Sequence, residues 1–299
     1  MTDPLLTAPA LVPEPDVAAR RGLWPSLRGR VMFWVYVAVI TVLALLSVLP
    51  GPIAALFGAG DPYACDISDS ADPPRAGHPF GTDLQGCDIW SNVVYGTRTS
   101  LSIGLLTTAF ALAVALVVGV LAGYRGGWVD AVLGRITTVF LGFPFILGAI
   151  IVLNSVGTRS VLVVSAVLAL FSWPAMARLV RSSVRQVRDA EYVQCARAMG
   201  LTTGRILRCY VLPNTIGPVL AVATILVGGV IVAESTLTFL GVGLQAPSIS
   251  WGLQLASAQA RFQQYPSMLL FPGLFLSVTV IAIIALGDMV RDALDPRSR

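Results

Sequence analysis

The sequence predicts an all-α polytopic membrane protein with six transmembrane helices, and three observations lead there. Apolar residues fill 56% of the 299 positions and charged residues only 12%, with a mean hydropathy of +0.79. That balance lies far from a water-soluble domain. Apolar runs of roughly 18 to 25 residues recur along the chain, each able to cross a hydrocarbon core about 30 Å thick at about 1.5 Å per helical residue. The basic residues, finally, fall unevenly between alternate connecting segments.

In chain order, residues 1–30 are polar, contain prolines and end on Arg20, Arg21, Arg28 and Arg30, which reads as a cytoplasmic tail. Val31 to Leu49 is the first span, because a cleaved signal peptide has a shorter apolar region. Residues 50–98 form a polar loop with six Asp and two Arg. Within it Asp88 is placed to cap a helix, and Ile89, Trp90, Val93 and Val94 share a face suited to the membrane interface. Leu101 to Ala122 is the second span. Ile136 to Leu153 is the third, with Pro144 inside it, and Val161 to Val180 the fourth, with Pro174; both prolines predict kinked but continuous helices. Ile216 to Leu240 is the fifth, Gly241 to Pro266 a polar return loop, and Met268 to Leu286 the sixth. A tail at 291–299 closes the chain.

Charge sets the orientation. All 20 basic residues are Arg. With the N-terminus inside, sixteen lie in inner segments and four, Arg75, Arg98, Arg159 and Arg261, outside. The positive-inside rule then places both termini in the cytoplasm and the Asp-rich loop outside. The missing Lys also excludes a phosphate-binding loop of the GxxxxGK[ST] type, so any ATP-driven work requires a nucleotide-binding partner chain.

The stretch between spans four and five, RQVRDAEYVQCARAMGLTTGRILRCYVLPN from Arg185 to Asn214, is too charged for lipid yet keeps helical periodicity. Tyr192, Cys195, Ala196 and Met199 form one apolar stripe at i, i+3, i+4, i+7. Asp189 is a candidate N-cap, and Gly200 supplies the left-handed residue that ends a helix. Thr202 or Thr203 starts a second short helix, which Pro213 is expected to terminate.

The order Glu191, Cys195-Ala196, Gly200, Leu212-Pro213 resembles the EAA-loop signature of ABC importer permeases, with Cys195 where Ala is usual. Three more segments extend the likeness to about residues 78–297. They are HPFGTDLQGCDIWSNVVYGTRTSLSIG from His78, ESTLTFLGVGLQAPSISWG from Glu234, and GDMVRDALDPR from Gly287. Together they resemble the C-type permease subunit of oligopeptide and dipeptide importers, although Cys87 and Asn92 stand where that family usually has Arg. The resemblance implies a type I ABC importer permease fold, with residues 99–290 as its core and 181–215 as the cytoplasmic coupling loop. It also implies a bacterial inner-membrane location and an ATPase-coupling role for Glu191, Tyr192, Cys195, Ala196, Met199, Gly200, Leu201 and Pro213. The implied partners are a second homologous permease chain, two ATPase domains that bind ATP and Mg, an external solute-binding protein and the lipid bilayer. No nucleic acid, catalytic residue or cofactor of this chain's own is expected. Peptides are favoured as cargo over nickel or glutathione.

Alternatives of other classes fare poorly. An ion-coupled transporter wants ionisable residues deep in several spans, and only Glu234 falls within one. It sits close to the outer surface, where an ion pair with Arg98 is the structural reading. A membrane-embedded hydrolase needs a nucleophile with a base, but the lone His78 lies in the external loop. His78 with Asp83, Cys87 and Asp88 lacks metal-ligand spacing. Cys195 and Cys209 fall on the reducing side and Cys65 and Cys87 outside, which predicts a Cys65–Cys87 disulfide.

Overall fold

The computed structural model describes residues 27–294. Most of the expected N-terminal tail, and the C-terminal tail beyond Leu294, lie outside them. The described residues fold into eleven α-helices: α1 (Val31–Val48), α2 (Pro50–Phe57), α3 (Ile89–Arg125), α4 (Gly127–Gly142), α5 (Phe145–Ser155), α6 (Val161–Arg188), α7 (Glu191–Ala198), α8 (Thr203–Ile206), α9 (Leu212–Phe239), α10 (Trp251–Ala258) and α11 (Ser267–Leu294). Five helical stretches are long and apolar enough to span a bilayer, and α4 with α5 makes a sixth if the bent pair counts as one.

Long α3 is the axis of the bundle. Its most extensive partner is α6, and α9 pairs most extensively with α11. Ala111 and Ala115 on α3 are fully buried beside Ala177, Val180 and Val184 of α6, because small side chains let helix backbones approach where no water is available to drive association. A second cluster unites Ile103 of α3, Leu153 of α5, Leu168 of α6 and Leu237 of α9. By contrast α1 keeps many apolar side chains exposed, among them Val31, Val42 and Val48.

Four expectations about the spans need correction. The third span is broken, not kinked: α4 and α5 meet at 85° across the Phe143-Pro144 step. Pro144 lacks an N–H and disfavours helical backbone at the residue before it, and Phe143 is indeed extended, with φ −80° and ψ 129°. The second span begins at Ile89, because Asp88 caps α3 by accepting from the Ser91 N–H at 3.0 Å. Ile89, Val93 and Val94 are therefore buried against protein, not spread on the membrane interface. The return loop, lastly, holds α10. Its Trp251 is fully buried, and the indole N–H donates to the Val93 carbonyl at 3.1 Å.

The loop between α2 and α3 is held by polar pins. Cys65 and Cys87 are joined by a disulfide, with Cα atoms 4.2 Å apart and a sequence separation of 22. Arg75 pairs with Asp69 at 2.7 Å and with Asp72 at 2.9 Å. Asp83 accepts from the backbone N–H groups of Gln85 at 2.8 Å and Cys87 at 2.9 Å. Burial raises the Asp83 carboxyl above its ordinary pKa, against the pull of those same hydrogen bonds. His78 lies 3.2 Å from the fully buried Asp88. The Tyr63 hydroxyl donates to the Pro247 carbonyl at 3.0 Å, tying this loop to the segment before α10.

Candidate functional site

The stretch from Asp189 to Asn214 leaves the bundle as two short helices around a corner. Gly200 forms that corner with φ +80°, the left-handed conformation that Gly adopts without a Cβ penalty. The Leu201 N–H returns to the Ala196 carbonyl at 3.2 Å and closes the end of α7. Asp189 does not cap α7. Its carboxylate instead binds the Arg188 guanidinium at 2.8 Å, and that hydrogen bond, with the surrounding arginines, holds its pKa below the usual carboxylate range. The N-cap residue is Ala190, which contributes no side-chain bond. A cation one residue away outcompetes the capping geometry.

The apolar stripe also faces differently from the simplest expectation. Val193 and Ala196 are fully buried and seat α7 against the cluster of Val180, Val184 and Val211. Ala196 alone belongs to both faces. Tyr192 and Met199 are 46% and 71% exposed, and Cys195 is exposed as well. Glu191 is exposed at the first turn and Leu201 is half-buried. A short helix thus presents an apolar surface outward from the most basic end of the molecule.

Pro213 ends nothing. Thr202 stands at the start of α8 without a side-chain cap, and α8 runs through a π-helical turn, Leu207–Val211, directly into α9. The Leu212 N–H reaches back to Leu207 O. Pro213 has no N–H to offer the Cys209 carbonyl, and the wider turn absorbs that mismatch without breaking the helix.

Arginines tie this stretch to its neighbours. The Arg188 guanidinium donates to the Gly123 carbonyl at 3.0 Å and the Tyr124 carbonyl at 3.3 Å, both in the last turn of α3. Arg197 lies 5.9 Å from the centre of the Tyr124 ring. Asp130 of α4 binds both Arg181 and Arg185 of α6.

At the opposite end, Glu234 is fully buried. It accepts from the Thr238 hydroxyl at 2.9 Å and lies 3.3 Å from that of Ser235. Thr238 in turn accepts the Leu244 N–H at 3.1 Å. The expected Arg98 ion pair is absent: among the described residues Glu234 has no cationic partner, and Arg98 is exposed. Helix direction decides this, since Arg98 points away from the face of α3 that carries Thr97, Ser100 and Gly104 into the bundle.

Sequence reasoning missed Val193, Asp130 and Trp251. The signals were there in an acid six residues from the nearest expected span, and in an indole flanked by Ser250 and Gly252 inside a polar segment.

A family model described as the binding-protein-dependent transport system inner membrane component matches residues 115–299. The chain belongs to this family. The permease is 34% identical to the dipeptide transport system permease protein DppC of Alkalihalophilus pseudofirmus, across 99% of its own length and 97% of the relative. It is 35% identical to the oligopeptide transport system permease protein OppC of Escherichia coli over 93% of each chain. A glutathione transport system permease protein, GsiD of Pectobacterium atrosepticum, is 38% identical over 75% of this permease and 74% of that chain. Among solved structures, an inward-facing MetNI methionine ABC transporter superposes with TM-score 0.57 at 22% identity, covering 68% of this permease and 96% of that chain. This likeness concerns fold, and it is the fold of an ABC importer permease. The permease is therefore a multi-pass membrane transport subunit, without catalytic activity of its own.

Proposed function

We propose that this permease forms one half of the pore of an ATP-driven importer for peptides, with a second homologous permease chain as the other half. An external solute-binding protein delivers the cargo to the Asp-rich outer loop. Two ATPase domains, which bind ATP and Mg, dock on α7 from the cytoplasm. Both termini and α7 lie on the cytoplasmic side, as the sixteen-to-four arginine asymmetry supports.

The observation that carries this reading is the two-faced α7. Val193 and Ala196 seat it on the bundle, while Tyr192, Cys195 and Met199 stay uncovered at a charged end where no lipid would cover them. An apolar surface so placed suits a protein partner. ATP-driven closure of the ATPase pair would draw two such helices together and shift the bundle between two packed states.

Peptides head the substrate classes because the dipeptide and oligopeptide relatives cover nearly the whole permease. Glutathione, itself a small peptide, is the second reading, favoured by the Pectobacterium relative. Nothing in the spans requires a specific cargo charge. Selectivity then rests with the binding protein.

The test is reconstitution of the complete importer in liposomes with its binding protein, followed by uptake of labelled dipeptides, longer peptides, glutathione and nickel. Uptake of glutathione or nickel alone would displace the peptide reading. Glu191→Cys that never crosslinks to the ATPase, in any nucleotide state, would remove α7 from the coupling interface.

A further inference from the structure

Where α4 meets α3 and α6, a cavity of about 440 Å³ opens near the arginine-rich end of the bundle. Gly134, Asp130, Arg135, Thr138, Arg178 and Arg181 line it. Its charges do not balance. Asp130 is the one acid in the lining, and its carboxylate is already shared by Arg181, whose Nη2 donates at 2.8 Å, and by Arg185. Arg178 has only a 3.4 Å contact with the Thr138 hydroxyl, and Arg135 makes no ion pair among the described residues. Two exposed guanidinium groups therefore border one cavity, neither of them paired with a carboxylate among the described residues.

The position of the cavity narrows the ligand. Trp128, Val132, Ile136 and Val139 form an exposed apolar line on α4, with the Trp at the end where tryptophans mark the headgroup level of a membrane. Arg135 lies between this apolar line and the cavity-facing residues Asp130, Gly134 and Thr138, by the 100° step of the helix. Arginine forks suit phosphate oxygens, which accept two N–H bonds from each group. A basic pocket between membrane helices at the cytoplasmic boundary is the setting in which anionic headgroups are held.

We infer that this cavity is a binding site for a phosphate group, held by Arg135 and Arg178 and supplied by an anionic phospholipid of the inner leaflet. Asp130, Arg181 and Arg185 form its fixed wall. Occupancy pins the middle of α4 to α6, ahead of the arginines that grip α3 and lead into α7. The choice of leaflet rests on the orientation proposed above; the site itself does not.

The experiment uses the purified complete importer. Native mass spectrometry of detergent-released complex records retained phosphatidylglycerol against phosphatidylcholine, with inorganic phosphate as a separate arm. The double variant Arg135→Ala with Arg178→Ala leaves the Asp130 pairs untouched, and Arg261→Ala serves as a charge control. Expected is a preference for phosphatidylglycerol that falls roughly tenfold in the double variant and stays in the control. Thermal stabilisation by inorganic phosphate alone, lost in the same variant without any lipid preference, keeps the phosphate site but overturns the lipid as its source. Equal retention of both lipids by the unaltered complex, with no phosphate effect, overturns the proposal. A crosslinking failure at α7 would leave all these readouts standing, so the two readings fail separately.

Discussion

The two polar excursions from the bundle, residues 58–88 on one end and 189–213 on the other, solve the same problem by opposite means. Neither has enough apolar residues for a core of its own. The first is bolted by a disulfide, the Arg75 ion pairs and Asp83, and covers part of the bundle with those bolts in place. The second has no disulfide, Cys195 and Cys209 being free. It is seated by four buried side chains, Val193, Ala196, Ile206 and Val211, and leaves larger apolar ones, Tyr192 and Met199, facing out. A segment bolted by covalent and ionic links holds one shape, whereas one seated only by apolar contacts on one side can be moved by whatever grips its free face.

Each excursion turns on a glycine with nearly the same backbone, φ +79° at Gly86 and +80° at Gly200, so paired substitutions test the contrast directly. Gly86 is crowded: a Cβ there would collide with the backbone carbonyl of Asp66. Gly86→Ala should therefore cost about 4 kcal/mol locally, combining backbone strain with a clash that main chain cannot relieve. Limited proteolysis of the first loop reads it, and an intact loop would mean that Asp66 yields. Next in size is Cys87→Ser, which should destabilise the same loop by about 3 kcal/mol through lost closure. Its signature is hydrogen exchange rising across residues 58–88 while α3 stays protected below its first turn.

Gly200 meets nothing within contact distance of an added Cβ. Gly200→Val should then cost about 1 to 3 kcal/mol from the left-handed backbone alone. The chain still inserts, and the loss shows as uptake falling while ATP hydrolysis continues. Smallest in stability is Met199→Ala, expected within about 0.5 kcal/mol because the side chain is mostly exposed. Its effect belongs to docking, and a binding measurement with the ATPase that detects no weakening would strip the outward face of its role.

What could be read ahead of the structure follows the same division. Length and hydropathy located α1 and α9 within a few residues at both ends, and α6 and α11 at their starts only, because a membrane span needs an apolar run of sufficient length and both helices continue past theirs to Arg188 and Leu294. Hydropathy runs smoothly through Pro144, so the 85° break between α4 and α5 left no trace in the apolar pattern. The Gly200 corner was legible because one residue type serves that backbone. Which side of α7 faces in was not: Tyr192, Cys195 and Met199 make as good a stripe as Val193 and Ala196, and only the neighbouring Val180, Val184 and Val211 decide between them. Trp251 was hidden by its polar surroundings, although its indole is bonded deep in the bundle.

The uninterrupted helix from Thr203 to Phe239 has a mechanical consequence. Because Pro213 does not divide it, the second arm of the Gly200 corner and the fifth span act as a single lever. About 31 residues separate Thr203 from Glu234, roughly 46 Å at 1.5 Å per residue. A tilt of about 5° around the Thr203 end would swing the Glu234 end by about 4 Å on that length. There the Glu234–Thr238–Leu244 hydrogen bonds hold the far tip to the return loop. The π-turn at Leu207–Val211 is the slack in this lever, a place where the ladder can change register without parting.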